Sequence, residues 1–178
     1  GMSSSNKGSA FTNSGIVVNI NPQDVKEYSK QPALSLMKFQ QECEQKIYIH
    51  NQTSPAQRIS DFIRNKPSNN ISATSYPSGL QACNMNDYLP RIIAEHLKEG
   101  FKVFDRRIKG FISNQATMIG LESRTSSPVR ILRDKDSLQH PQLAMLFPCG
   151  EGAGYAGGIT SSAIDGVNAA EKISQILK

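Results

Sequence analysis

Tryptophan is absent from the 178 residues, and cysteine occurs only three times, at Cys43, Cys83 and Cys149. No two of these form a CxxC pair, which argues against a disulfide framework or a thiolate zinc site and suits a reducing, cytoplasmic setting. Long apolar runs are missing too. None approaches the roughly 20 residues that cross a bilayer, so no membrane association is expected. The opening GMSSSNKGSAFTNSG has no apolar stretch of the secretory kind. Gly1 ahead of Met2 reads as a tag remnant, and residues 1–14 as a poorly ordered or tag-derived leader. The net charge of +5 is modest and unclustered, with Arg106-Arg107 and Arg130/Arg133 its densest spots. A nucleic-acid surface would show a basic stripe with interleaved aromatics, so no nucleic-acid partner is expected. His50, His96 and His140 lack metal-ligand spacing and read as surface residues; no metal is expected. No internal repeat, no Ser/His/Asp set and no Cys/His set stands out.

What is present is enough chain for one domain, or one and a half, with a genuine core. GIVVNI (15–20) is a β-branched run that stops at Asn21-Pro22 and predicts a strand. Leu36, Phe39, Cys43 and Ile47 recur at helical spacing across 32–49. A second helix is predicted from Ser54 as N-cap, Pro55 as first residue and Gln57 completing a Ser-x-x-Gln box, with Ile59, Phe62 and Ile63 on its apolar face. Residues 65–82 form a polar loop. A third helix starts near Asp87, presents Leu89, Ile92, Ile93 and Leu97, and stops at Gly100. Thr117–Arg133 reads as a hairpin about Ser126-Ser127-Pro128, and Leu143–Cys149 as a strand buried on both faces. A final helix carries Ile159, Ala163, Val167, Ala170, Ile173 and Leu177 down one side, with Asp165 and Asn168 on its polar face.

Between that strand and that helix lies CGEGAGYAGG, with five glycines from Gly150 to Gly158. A glycine turn leading into a helix offers backbone N–H groups and a positive dipole end to an anion. Absent Cβ atoms let a ligand approach the backbone. Glu151 repels phosphate and suits hydroxyl donors such as those of a sugar or ribitol. The plainer alternative is a tight turn that permits close packing. The spacing is neither GxxxxGK[ST] nor a clear GxGxxG, so neither a P-loop nor a first Rossmann turn is supported.

PCGEGAGYAGGITSSAIDG, with ESRTSSPVRILRD, SPAQRISDF, FDRRIKGF and SGIVVNI, resembles the C-terminal part of a family of uncharacterised FAD-dependent dehydrogenases, flavoproteins of the two-dinucleotide-binding-fold type. The resemblance covers nearly the whole chain. It implies an α+β fold, with a helical middle segment between sheet elements and a terminal strand–glycine loop–helix that completes a FAD-binding domain. The implied division is 15–140 as a substrate-side domain and 141–178 as the C-terminal part of the FAD-binding domain. It further implies FAD as cofactor of the full-length protein and NAD(P)H as a reductant. Gly150, Glu151, Gly152, Ala153, Gly154, Gly157, Gly158 and Ile159 become the cofactor-side set, with Glu151 facing the ribitol–pyrophosphate and Gly157–Ile159 forming the helix start beneath the flavin. Arg124, Ser126, Ser127 and Arg130 become candidates for an anionic substrate or the flavin edge.

The family's N-terminal βαβ unit with its GxGxxG has no counterpart in these 178 residues. The expectations are therefore that the missing N-terminal half is the main partner, that Lys178 is the natural end, and that the isolated chain is inactive, retains no FAD and self-associates. The small-molecule substrate carries no short motif. Cys149, with no second cysteine adjacent, reads as a buried small hydrophobe. A different class of function stays open at this point: a non-catalytic helical interaction module whose glycine loop serves packing only.

Overall fold

A computed structural model describes residue 8, residues 10–47 and residues 53–177. His50 and the end of the first predicted helix lie outside the described residues. The chain divides into two compact units, 1–20 with 41–121 and 21–40 with 122–178. Helix α1 (Ser35–Ile47) forms where the spacing predicts it, led in by a 3-10 turn at Pro32–Leu34, with Phe39 and Cys43 buried.

The first unit is built on a three-stranded sheet of order β2-β1-β3. Strand β1 (Ser54–Arg58) is central, parallel to β2 (Leu80–Ala82) and antiparallel to β3 (Thr117–Ile119). This corrects the predicted helix start at Ser54. A residue before proline is pushed to extended backbone, and Ser54 precedes Pro55. Pro55 lacks a donor, yet its carbonyl accepts from Gly120 N at 3.1 Å. Gln57 completes no capping box. It is fully buried, donating through Nε2 to Lys66 O at 2.6 Å and accepting Met85 N at 2.7 Å. Its amide thus satisfies backbone groups of two loops that no strand could reach. Only the short α2 (Ile59–Ile63) is helical there.

Helix α3 (Arg91–Arg107) lays Ala94, Leu97 and Phe101 into one core with Ile59, Phe62, Met85 and Leu89. Phe62 and Phe101 meet edge to face, centroids 6.2 Å apart. Gly100 sits inside this helix and does not end it, because Phe101 continues the apolar row of Ala94 and Leu97. The turn after α3 instead contains Gly110 at φ +88°, the left-handed geometry that glycine adopts without penalty. GIVVNI is not a strand. Ile16, Val18 and Ile20 are half-buried and alternate with exposed neighbours, yet no ladder forms. Ile16 and Val18 pack on the core cluster, so burial kept the period of two without hydrogen-bond pairing. The middle segment is accordingly mixed, since β1 and β2 lie within it.

The second unit contains no strand among its described residues. Near its start Tyr28 packs edge-on against Phe39 at 5.0 Å, and Val25 is fully buried. Two predicted elements fail here. The Thr117–Arg133 hairpin is only β3, because β3 pairs with β1 and Ile131 N donates to Ala153 O rather than to a returning strand. Leu143–Cys149 is no buried strand: Leu143 and Met145 are 56% and 53% exposed. The run doubles back through Met145 at φ +61°. His140 N donates to Leu146 O at 2.8 Å, and Met145 N to Gln139 Oε1 at 3.1 Å. With no partner strand among the described residues of this unit, local turns satisfy the backbone instead. Helix α4 (Ile159–Ile176) forms as predicted but turns another side inward: Ala169 is buried, whereas Ile159 and Val167 are exposed.

Candidate functional site

The glycine loop is fastened from inside by residues 127–133. Ile131 N donates to Ala153 O at 3.2 Å, and Ser127 Oγ to Gly152 O at 3.2 Å. Arg130 Nε donates to Gly154 O at 3.0 Å, and Tyr155 Oη to Ile131 O at 2.9 Å. Gly154 explains one glycine outright. A Cβ there would stand 2.7 Å from Val129 O and 3.1 Å from Arg130 Cα, and φ is +83°. What passes close to this part of the loop is the chain itself. Gly150, also left-handed at φ +71°, shapes the turn that Tyr155 N closes onto Gly150 O at 3.1 Å.

Arg133 and Asp165 form the lock behind the loop. Arg133 Nη2 donates to Asp165 Oδ1 at 2.7 Å, and Nη1 to Asp165 Oδ2 at 3.0 Å and Pro148 O at 2.8 Å. Gly150 N donates to the same Oδ2 at 2.8 Å. The side chains are only 11% and 14% exposed, and the Arg133 guanidinium lies 3.7 Å from the Tyr155 ring centroid. Hydrogen bonds from Arg133 hold the Asp165 carboxyl below the usual carboxylate range, helped by Gly150 N–H and opposed by desolvation. Arg133 is correspondingly pushed above its ordinary value, chiefly by its bonds to Asp165.

The outer side differs. Gly152 and Gly157 would give a Cβ no neighbour within 4 Å, and Gly158 would meet only Ser161 Oγ at 3.7 Å. Glu151 is exposed. Helix α4 starts at extended Gly158 with no side chain capping its first N–H groups. Those donors, with the exposed carboxylate, form an unobstructed polar edge.

The predicted residues therefore separate. Glu151, Gly152, Gly157, Gly158 and Ile159 lie on the open edge, whereas Gly150, Ala153 and Gly154 are used by the fold. Ser127 and Arg130 are fasteners of the loop, and Arg124 and Ser126 are exposed. A groove of ≈ 370 Å³ beside Gly154 is lined by Pro22, Pro32, Leu36, Val129 and Arg130, among others. Asp165, expected on a solvated face, is the centre of the lock; Cys149, expected buried, is exposed. Arg133 stands out in the sequence only as part of a basic spot, and Tyr155 is not among the predicted site residues. A bulky aromatic set among the small residues of GAGYAGG is the signal that it packs on something distant.

Residues 1–125 match the family described as FAD-dependent protein, C-terminal domain-like. The chain belongs to this family. The match ends close to Leu121, the last residue of the first unit, and before the glycine loop. An uncharacterized protein of Clostridium beijerinckii is 37% identical over 163 residues. The aligned stretch is 90% of this chain and 30% of that protein, so the chain spans less than a third of its relative. The family is FAD-dependent, and the fold is mixed α and β as expected. Among the described residues, no helix is long and apolar enough to cross a membrane.

Proposed function

We propose that the chain is the C-terminal portion of a flavin-dependent oxidoreductase, whose glycine loop presents its open edge to FAD in the full-length protein. The observation that carries this is the split among the glycines. Packing accounts for Gly154, and turn geometry for Gly150. Neither accounts for Gly152 and Gly157, which have nothing beside them. An interaction module that used the loop for packing alone would leave those two without a reason.

The residues present fit the cofactor on this edge. Glu151 would accept hydrogen bonds from the ribitol or ribose hydroxyls. The uncapped N–H groups at Gly158 and Ile159 would face the flavin's electron-rich edge, where a helix N-terminus favours negative charge. When bound, FAD supplies hydride and electron transfer, with NAD(P)H as the reductant in this reading. The chain's own part is to position and polarise. Arg133 and Asp165 hold the loop's first turn, and Ser127 and Arg130 hold its middle, so the edge needs little ordering on binding. Arg130 also borders the groove, on the side where a small substrate would lie, while Arg124 and Ser126 remain candidates for its anionic group. The missing N-terminal half is the partner that brings the pyrophosphate site, and the cytoplasm is the setting.

Two measurements test this. In the full-length protein, Glu151→Ala lowers the FAD retained through dialysis, because hydroxyl donors lose a charged acceptor; undiminished FAD rejects the role. The isolated chain binds FAD more weakly than micromolar in a calorimetric titration. A helix N-terminus contributes about 0.3–2 kcal/mol and each hydrogen bond about 0.5–1.5, short of the roughly 8 kcal/mol that micromolar affinity needs. Micromolar binding by these residues would contradict that division of the cofactor's anchors.

A further inference from the structure

We infer that the outer face of α4 is a seam against which the remaining polypeptide of the longer family proteins packs. The helix has two sides with different occupants. Ser162, Asp165, Gly166, Ala169 and Ile173 are buried or half-buried, and Asp165 on this side is bonded to Arg133 and Gly150. At about 100° per residue, Ile159, Ala163, Val167, Ala170 and Leu177 fall on a separate arc about 80° wide. That arc carries no charge and is open to solvent: Ile159, Val167 and Leu177 are 93%, 57% and 71% exposed. A helix stabilised by tertiary packing normally turns its apolar stripe inward, and here the stripe is the side left out.

The occupant follows from size and chemistry. The Clostridium relative extends well beyond the match, which takes up 30% of its length. Ala163 and Ala170 project little, so a sheet or helix can approach the backbone closely between Ile159 and Val167. A membrane surface fits poorly, since interfacial helices carry several Lys or Arg on the polar face. Described α4 has Lys172 alone, with Asp165 and Glu171. The inference rests on reading the chain as part of a longer flavoprotein, and it adds where that longer chain docks.

Carbene footprinting read by mass spectrometry tests it on this chain and on the full-length Clostridium relative. Ile159, Val167 and Leu177 should label strongly here. A helix of the relative that corresponds to α4 should label at least about fivefold less, as expected for apolar surface under a permanent interface. Equal labelling in the two proteins overturns the seam. So does a dimer of the full-length relative by light scattering that an arginine on the apolar stripe of that helix converts to monomer, because the occupant is then a second copy. The relative's absorbance separates the two readings. A shielded helix in a colourless protein keeps the seam and rejects the flavin role; a yellow protein with an open helix does the reverse.

Discussion

The two units are held together by different physics. The first closes around a contiguous apolar cluster in which Phe62 and Met85 are fully buried, and its sheet supplies the backbone hydrogen bonds. The second has no sheet among its described residues. Its glycine loop is held by charged and aromatic side chains bonded to backbone carbonyls. Hydrophobic burial is non-directional and tolerates small shifts, whereas the Arg133–Asp165–Tyr155 set works only in one geometry. The first unit thus resembles a domain that completes itself. The second positions one edge accurately while leaving its apolar stripe outside.

The contrast should break most visibly in the first unit. Phe62→Ala, which empties the centre of the cluster, should cost about 3–5 kcal/mol in urea denaturation. A cost under about 1 kcal/mol would show that the cluster is not the unit's main support. In the second unit, Asp165→Ala leaves Arg133 nearly buried without its carboxylate and should cost about 3 kcal/mol. This loss has a pH signature. The folded carboxyl sits below its unfolded value of about 3.9, so its contribution is complete above roughly pH 4 and fades as pH falls through the folded value. The stability gap between wild type and variant should narrow below that pH, and a gap constant down to pH 2 would rule out the ion pair as its source.

The glycine pair sharpens the same comparison inside one loop. Gly154→Ala meets Val129 O and a left-handed backbone, and should cost about 2–3 kcal/mol. Gly152→Ala meets nothing and should change stability by less than about 0.5 kcal/mol. Equal costs would mean that the loop has no open edge. The smallest effect is kinetic and leaves stability untouched. Cys149 is exposed, while burial pushes the Cys43 thiol up to about 11 and raises Cys83 above its ordinary value. A thiol reagent at pH 8 should modify Cys149 first and Cys43 last, as mass spectrometry after partial reaction would show.

Periodicity made α1, α3 and α4 legible, because each carries a long apolar row. It could not say which row would be covered from within the chain, and in α4 most of the apolar row is left exposed. Ser54-Pro55-Ala56-Gln57 satisfied a helix-start pattern. Central sheet position and a buried glutamine amide, neither visible locally, made it a strand. Leu143–Cys149 failed for a related reason: its apolar run specified burial, but no strand among the described residues of its unit offers a ladder. At the site, the glycines and Glu151 stood out as a motif. Arg133, Tyr155 and Asp165 are spread over 33 positions and meet only through the fold. Short-range patterns found the edge that faces outward and missed the lock that holds it.

Native-state hydrogen exchange of this chain in rising urea tests the comparison at its centre. The account predicts that α3 amides exchange only through the most costly opening. Those of α4 should exchange through a separate opening at least about 2 kcal/mol lower, the pattern of a cooperative unit with few buried apolar contacts. If the amides of both helices merge onto one opening of equal free energy, the second unit is as self-sufficient as the first and the account is wrong.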